Sequence, residues 1–347
     1  MSPSRFAEIA SRYPQLRVGV VGDFCLDRYL EIDPARAGIS IETGLPVHNV
    51  TRVRSQPGAA GTIVNNLVAL GVGHISLAGF CGEDGEGWEL LRALRGLAGV
   101  SIERFVQTPE RATFTYTKPL IVKRGATPKE LSRLDIKNWS PTPAHLSARI
   151  AEQVHALAAD VDAIVVMDQV DIDETGVVTH AVRAALGEVA AKFPALPILA
   201  DSRRGLGNFP AVTFKMNAAE LAKLTGVSTD EAATAAAKLS RRRGQPVIVT
   251  LAERGVLGAL PDERTFHLPA WPLRGEIDIV GAGDSVTANA VAALAAGASL
   301  EDALAIANAA ASLVIHQLGT TGTASVSEIA RLFATAAAPL TASARPC

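Results

Sequence analysis

Cysteine is scarce: 3 in 347 residues, at Cys25, Cys81 and Cys347. They show neither Cys-x-x-Cys spacing nor a partnering histidine pattern, so the sequence offers no zinc site and no disulfide framework, and a reducing, cytoplasmic setting is expected. The 7 histidines do not fall at metal-ligand spacings either. Charge of one sign is also missing. Lys and Arg number 33 against 35 Asp and Glu, a formal net charge of −2. No basic field exists to hold nucleic acid or an anionic membrane, so any anionic ligand needs a local site. Mean hydropathy is +0.22, yet no uncharged run reaches the ~18 apolar residues of a membrane span. The most apolar stretch follows Gly283 and is interrupted by Asp284, Glu301 and Asp302. The first residues carry scattered charge and lack the apolar core of a signal peptide. G-x-G-x-x-G, G-x-x-x-x-G-K-[ST], G-x-S-x-G and H-E-x-x-H are all absent. Their absence argues against a Rossmann dinucleotide site, a P-loop NTPase and two kinds of hydrolase.

What is present is a globular composition, 48 % hydrophobic and 20 % charged, in a chain long enough for two domains or one large domain with an attachment. Short apolar runs at 17–22, 75–80, 163–167, 197–200, 212–216 and 247–250 read as strands. Helical patterns lie between them at 59–71, 85–98, 174–192, 218–225 and 230–243. That alternation predicts an α/β fold, a mostly parallel sheet with helices on both faces. Residues 30–54 and 105–138 break the rhythm. In the second stretch Thr113, Thr115 and Thr117 alternate with Phe114, Tyr116 and Lys118, the period of a half-exposed strand. These two stretches are expected to form a small β lid on a large domain made of 1–29, 55–104 and 139–347.

The strongest chemical signal is EIDIVGAGDSVTANAVAALAAG, residues 276–297. An extended segment is expected to end at Val280. Gly281, Ala282 and Gly283 then leave backbone N–H groups open where a helix begins, a place that binds anions. Asp284 opens that helix. It can take the proton of a hydroxyl attacking a phosphoryl group, or serve only as the acidic residue that helix N-termini favour. Asp23 and Asp27 follow the first strand, where α/β proteins bind ligands, and can accept hydrogen bonds from sugar hydroxyls or merely cap a turn. Small residues at 57–61 allow close approach of a ligand or close packing.

GAGDS after Asp278, the opening VGDFCLDRY, and PGAAGTIVNNLVALG followed by GFCGEDGEG resemble the ribokinase-like (PfkB) carbohydrate kinases over roughly residues 17–325. Within that family GDFCLDRY, ISIETGLPV, TKPLIV, ELSRLD and ANAAASLVIHQLGTTG look like the kinases that phosphorylate heptose 7-phosphate at C1. The resemblance implies a ribokinase-like fold and transfer of the ATP γ-phosphoryl group to a sugar or sugar phosphate. It makes Asp284 the base, with Gly281, Ala282 and Gly283 as the anion hole. Asn217 and Glu220 become the N-x-x-E pair, with Glu220 near Mg²⁺ through water. Thr250, Gly255, Asn308 and Arg203 become nucleotide neighbours, and Asp278 marks a K⁺ loop. Asp23 and Asp27 become sugar ligands, and a homodimer through the lids is implied. Gly58 keeps the first glycine of the family's sugar-side pattern. Ala59 replaces the second, and Thr62 stands for its asparagine, with Asn66 one turn on. Acidic residues fill DQVDIDETG where such kinases often carry lysine. Lys118 and Arg133, in the segments most like the heptose-phosphate kinases, are expected to grip a phosphate on the acceptor. Another sugar or nucleoside acceptor, or a sugar-responsive protein with little turnover, remains the alternative.

Overall fold

The structure, a computed structural model, describes residues 1–123, 125 and 127–337; Cys347 lies outside the described residues. The run RVGVVG forms the strand Arg17–Gly22, buried from its second residue onward. A strand with two apolar faces must lie inside a covered sheet. It pairs in parallel with His74–Gly82 on one side and Ala163–Asp168 on the other. Parallel pairing continues through Ile198–Ser202, Thr213–Asn217 and Val247–Thr250, then turns antiparallel at Val256–Ala259 and Thr265–Leu268. Val100–Ser101 and Phe105–Thr108 complete a 10-stranded sheet by pairing with His74–Gly82.

Two cores flank this sheet. On one face lie Ala60–Ala69, Ala282–Ala295 and Leu300–Val314, whose alanines let the helices settle close to the strands. The other face carries Ala144–Ala158, His180–Lys192 and Ala232–Arg243 through larger side chains such as Leu146, Ile150, Leu186 and Leu239. No helix among the described residues is long and apolar enough to cross a membrane.

A second sheet of 5 strands forms the lid. At its centre is Phe24–Ile32, antiparallel to Val50–Ala59 and parallel to Thr115–Ile121. Lys129–Glu130 and Leu134–Ile136 pair with Thr115–Ile121. The expected boundaries move accordingly. Residues 24–29 and 55–59 belong to the lid sheet, and Phe105–Thr108 belongs to the large one. Phe24, Cys25 and Leu26 are fully buried at the junction, which is why they read as part of the large domain. The helix expected from 174 begins at His180. Before it, Glu174 adopts φ 63° and its carbonyl accepts from Thr142 N–H at 2.7 Å. The segment before Val280 joins neither sheet.

At Gly255 the backbone has φ 95°, and a β-carbon would meet the Leu268 carbonyl oxygen at 2.1 Å. The first requirement at that position is therefore packing against Thr265–Leu268. Gly255→Ala is expected to lower stability by about 2–4 kcal/mol, from both the positive φ and the overlap. Urea unfolding followed by circular dichroism measures it; an unchanged midpoint would refute this account.

Candidate active site

The helix Ala282–Ala295 starts with Gly281 at φ 81°. A β-carbon there would stand 3.1 Å from Thr321 Cβ. Of the three expected amides, that of Ala282 turns back to the Ile279 carbonyl at 3.2 Å. The amides of Gly281, Gly283 and Asp284 have no backbone acceptor among the described residues, so the open donors are these three. Asp284 is half-buried in the first turn. Burial pushes its carboxyl up to about 7; Lys215 pulls it back, while Asp201 and Asp27 push it further.

Lys215 was not among the expected site residues. Its Nζ lies 2.6 Å from Asp201 Oδ2. Thr287, one turn beyond Asp284, shares its hydroxyl between Asp201 Oδ2 and the Gly283 carbonyl, each at 3.1 Å. The sequence did carry a signal: a lysine inside VTFKM, a strand that has to be buried.

On the lid side the two aspartates separate. Asp23 is fully buried, and its two oxygens accept from Gln169 N–H and Val177 N–H, each at 2.7 Å. It ties the first strand to the loop after Ala163–Asp168 and has no open face for a sugar, a correction to its expected role. Asp27 lies 3.5 Å from Lys118 Nζ, and burial raises its carboxyl against that cation. A β-carbon on Gly58 would stand 2.8 Å from Asp27 Cγ, so Gly58 makes room for that side chain. Thr62 and Asn66 are enclosed, 1 % and 0 % exposed. Asn66 donates to the Thr62 and Gly322 carbonyls at 3.0 and 3.4 Å. Both sit in a helix that packs against Ala282–Ala295, and Thr62 Oγ1 and Asn66 Oδ1 have no hydrogen-bond partner among the described residues.

Lys118 and Arg133 do come together. Both line a cavity of about 520 Å³ with Tyr29 of the lid and Asp278, Val280 and Gly319 of the large domain. Lys118 also lies 4.9 Å from the Tyr29 ring centroid. Arg133 stacks on Tyr116 and holds Asp135 with Nε at 2.6 Å and one terminal nitrogen at 2.8 Å, which leaves its other terminal nitrogen. The lid reaches the opposite wall through Arg54 to the Gly319 carbonyl and through Gln56 to Thr320 and Thr321. Both oxygens of Asp278 accept amides, from Val280 and Gly319 at 3.0 and 3.1 Å, so this residue orders the loop facing the lid.

Asn217 and Glu220 form a capping box, each side chain accepting the other's backbone N–H at 2.9 and 2.7 Å. One Glu220 oxygen remains open, and burial raises its carboxyl. The pair lines a second cavity, about 420 Å³, with Arg203, Arg204 and Lys223. Arg203 pairs with Asp171 at 3.1 Å, and Lys137 holds the same carboxylate at 2.6 Å; these cations answer the acidic segment after Asp168. Thr250 ends its strand beside Asn217, its register partner. Asn308 fixes the Pro269 carbonyl at 2.8 Å. Open amides at a helix start and a capped carboxylate with an open oxygen are groups that fit the phosphates of a nucleoside triphosphate and its Mg²⁺.

An α/β body built on a 10-stranded sheet, with a 5-stranded sheet as its lid and a glycine-started helix, is the architecture of the ribokinase-like phosphotransferases. The model of the pfkB family carbohydrate kinases matches residues 24–326, and the chain belongs to that family. The bifunctional protein HldE of Azorhizobium caulinodans is 34 % identical over 310 residues, which cover 87 % of this chain and 61 % of that protein. The chain thus spans about six tenths of that relative's length. Arabidopsis thaliana ribokinase, solved with ribose and ATP, superposes with a TM-score of 0.68 at 20 % identity, covering 92 % of this chain and 98 % of that one. Escherichia coli phosphofructokinase-2 with fructose-6-phosphate gives 0.66 at 18 %, covering 92 % and 99 %.

Two stability effects follow. Asp23→Ala strips two buried amides of their acceptor and is expected to cost about 2–4 kcal/mol, read by chemical denaturation; a loss below ~0.5 kcal/mol would contradict the bonding described. For Asp284 the folded carboxyl titrates near 7 and the unfolded one near 4. Between those values the folded state binds the extra proton, so stability falls as pH rises from about 4 to about 7. Asp284→Asn removes that loss. It is expected to melt above wild type at pH 8, with the gap closing toward pH 4.

Proposed function

We propose that the protein is an ATP-dependent carbohydrate kinase acting on a hydroxyl of a sugar phosphate, with heptose 7-phosphate the acceptor that the segment likeness favours. One observation carries the reading: a carboxyl raised to about 7 shares the start of a helix with open amides. Asp284, ionised above that value, takes the proton from the attacking hydroxyl. The amides of Gly281, Gly283 and Asp284 stabilise charge on the passing phosphoryl group. Glu220, through water, and Asn217 would hold Mg²⁺, which supplies neutralising charge between the phosphates. Thr250 and Arg203 flank the phosphates, and Asn308 orders the loop that borders the base. The Asp278 loop is the proposed K⁺ position.

Asp27 orients the sugar, and Lys118 with the spare nitrogen of Arg133 takes the acceptor phosphate. Closing the lid shuts out water and limits idle hydrolysis of ATP. The lid also leaves apolar residues uncovered, among them Ile39 at 65 %, Leu45 at 64 % and Leu134 at 63 % exposure. A second lid is their proposed cover, giving a homodimer. A kinase that consumes ATP and a sugar phosphate fits the cytoplasm. Glu130, Glu276 and Asp278 also line the acceptor cavity; they favour a second reading, an uncharged sugar or nucleoside.

A panel of sugars, each with and without a terminal phosphate, read by ADP release with ATP and Mg²⁺, tests both readings. The phosphate ester is expected to be preferred, and Lys118→Ala with Arg133→Ala to erase the preference while sparing KM for ATP. Equal turnover of the free sugar would leave only the second reading. Asp284→Asn is expected to lower kcat by about 10²–10⁴-fold with ATP affinity kept; a variant retaining a tenth or more, judged against that ~10²-fold minimum, sinks the base assignment.

A further inference from the structure

Among the described residues three buried cations are left over once the expected residues are assigned: Arg111 donates to the Pro141, Ser140 and Thr175 carbonyls, Arg183 pairs with Asp173 and Glu174, and Lys215 stands at the helix start. Lys215 is 6 % exposed in the strand Thr213–Asn217, where an unpaired ammonium is strongly disfavoured. Asp201 pairs with it at 2.6 Å and is in turn tied to the helix Ala282–Ala295 by Thr287. The ammonium lies 3.0 Å from the point that a β-carbon on Gly283 would occupy. A full positive charge thus rests against the turn that carries the open amides. It is fixed there before any ligand binds, so little reorganisation is needed when charge develops beside it. Nothing about stabilising the sheet requires that position, since buried ion pairs are often replaceable by apolar residues at no loss.

We propose that Lys215 is a further catalytic residue: its ammonium, held still by Asp201 and Thr287, faces the phosphoryl group in transit and stabilises the charge on it. The inference rests on the kinase reading above. It also accounts for the balance at the base. Asp284 is faced by Lys215 and Asp201 from the strands and by Asp27 from the lid, and Lys215 is the cation among them.

The test compares Lys215→Met, Lys215→Arg and the double variant Asp201→Asn with Lys215→Met. Each is checked by circular dichroism and by calorimetric binding of ADP. Lys215→Met is expected to lower kcat about 10²-fold with ADP affinity within about threefold of wild type, and Lys215→Arg to recover part of the loss. The double variant leaves no buried charge unpaired. A purely structural pair predicts that it regains activity; a catalytic lysine predicts that it stays as slow as the single variant. Recovery in the double variant, or a kcat for Lys215→Met within about threefold of wild type, overturns the proposal. A second readout needs no acceptor: carboxyl ¹³C resonances of labelled aspartate, with Asp284→Asn assigning the signal. The Asp284 midpoint is expected to rise in Lys215→Met and to stay near wild type in Lys215→Arg, and an unmoved midpoint in Lys215→Met overturns the proposal as well. If wild type phosphorylates nothing in the panel, the kinase reading fails and catalysis by Lys215 with it, while this titration still decides whether the ammonium faces Asp284.

Discussion

The site depends on how closely the helix Ala282–Ala295 lies on the sheet. Ala288, Ala290, Ala292 and Ala293 are fully buried in it, and larger side chains would lift the helix away from the strands. That closeness lets Thr287 reach Asp201 at the end of Ile198–Ser202. The helix start is thereby set against the carboxyl edge of the sheet, beside Lys215. Partial charge on open amides is useful only where it is fixed. Here the fixing is done by small residues on one side and a buried ion pair on the other.

The lid is coupled to that edge without a linker. Phe24–Ile32 begins two residues after the first strand ends, and Val50–Ala59 runs directly into Ala60–Ala69. Ala59, at the second join, holds φ 52°, a conformation that glycine would adopt more easily. A movement of the lid therefore carries Asp27 with it and passes through Ala59 into a helix packed against Ala282–Ala295. Gln56 and Arg54 add a second route by gripping 319–321, the loop tied to Asp278.

Much of this was legible in the sequence, because burial on both faces writes apolar runs of four to six residues, and RVGVVG, AIVVM and VIVT came out as strands. GAGD was readable because few residues can start a helix with a positive φ and leave its amides open. Other features were not. Asp23 looked like a ligand residue since its place at a strand end is right; only the path of residues 169–177 shows that backbone amides take both its oxygens. Thr62 and Asn66 read as polar residues near the sugar, yet both are enclosed in a helix packed against Ala282–Ala295. Lys215 was passed over because a lone lysine in a strand carries no motif, and its meaning comes from a partner 14 residues earlier and a helix about 70 residues later.

Burial raises the carboxyls of Asp23, Asp27, Asp168 and Asp284 at this edge, and what distinguishes them is how each is compensated. Asp23 takes two backbone amides. Asp168 takes Ser202 Oγ and Arg204 at 2.7 and 2.9 Å. Asp27 has Lys118 at 3.5 Å. Asp201, between them, has Lys215 and Thr287. Among the described residues Asp284 has no side-chain hydrogen bond or ion pair of its own, only the field of a lysine already committed to its neighbour. An unpaired carboxyl near neutrality can gain and lose a proton at little cost. Asp168 is pushed up to about 7 as well, but its Oδ2 is committed to Ser202 and Arg204. Position and pairing together therefore separate these acids: Asp284 stands in the first turn of the helix with the open amides and has no partner to give up when it takes a proton.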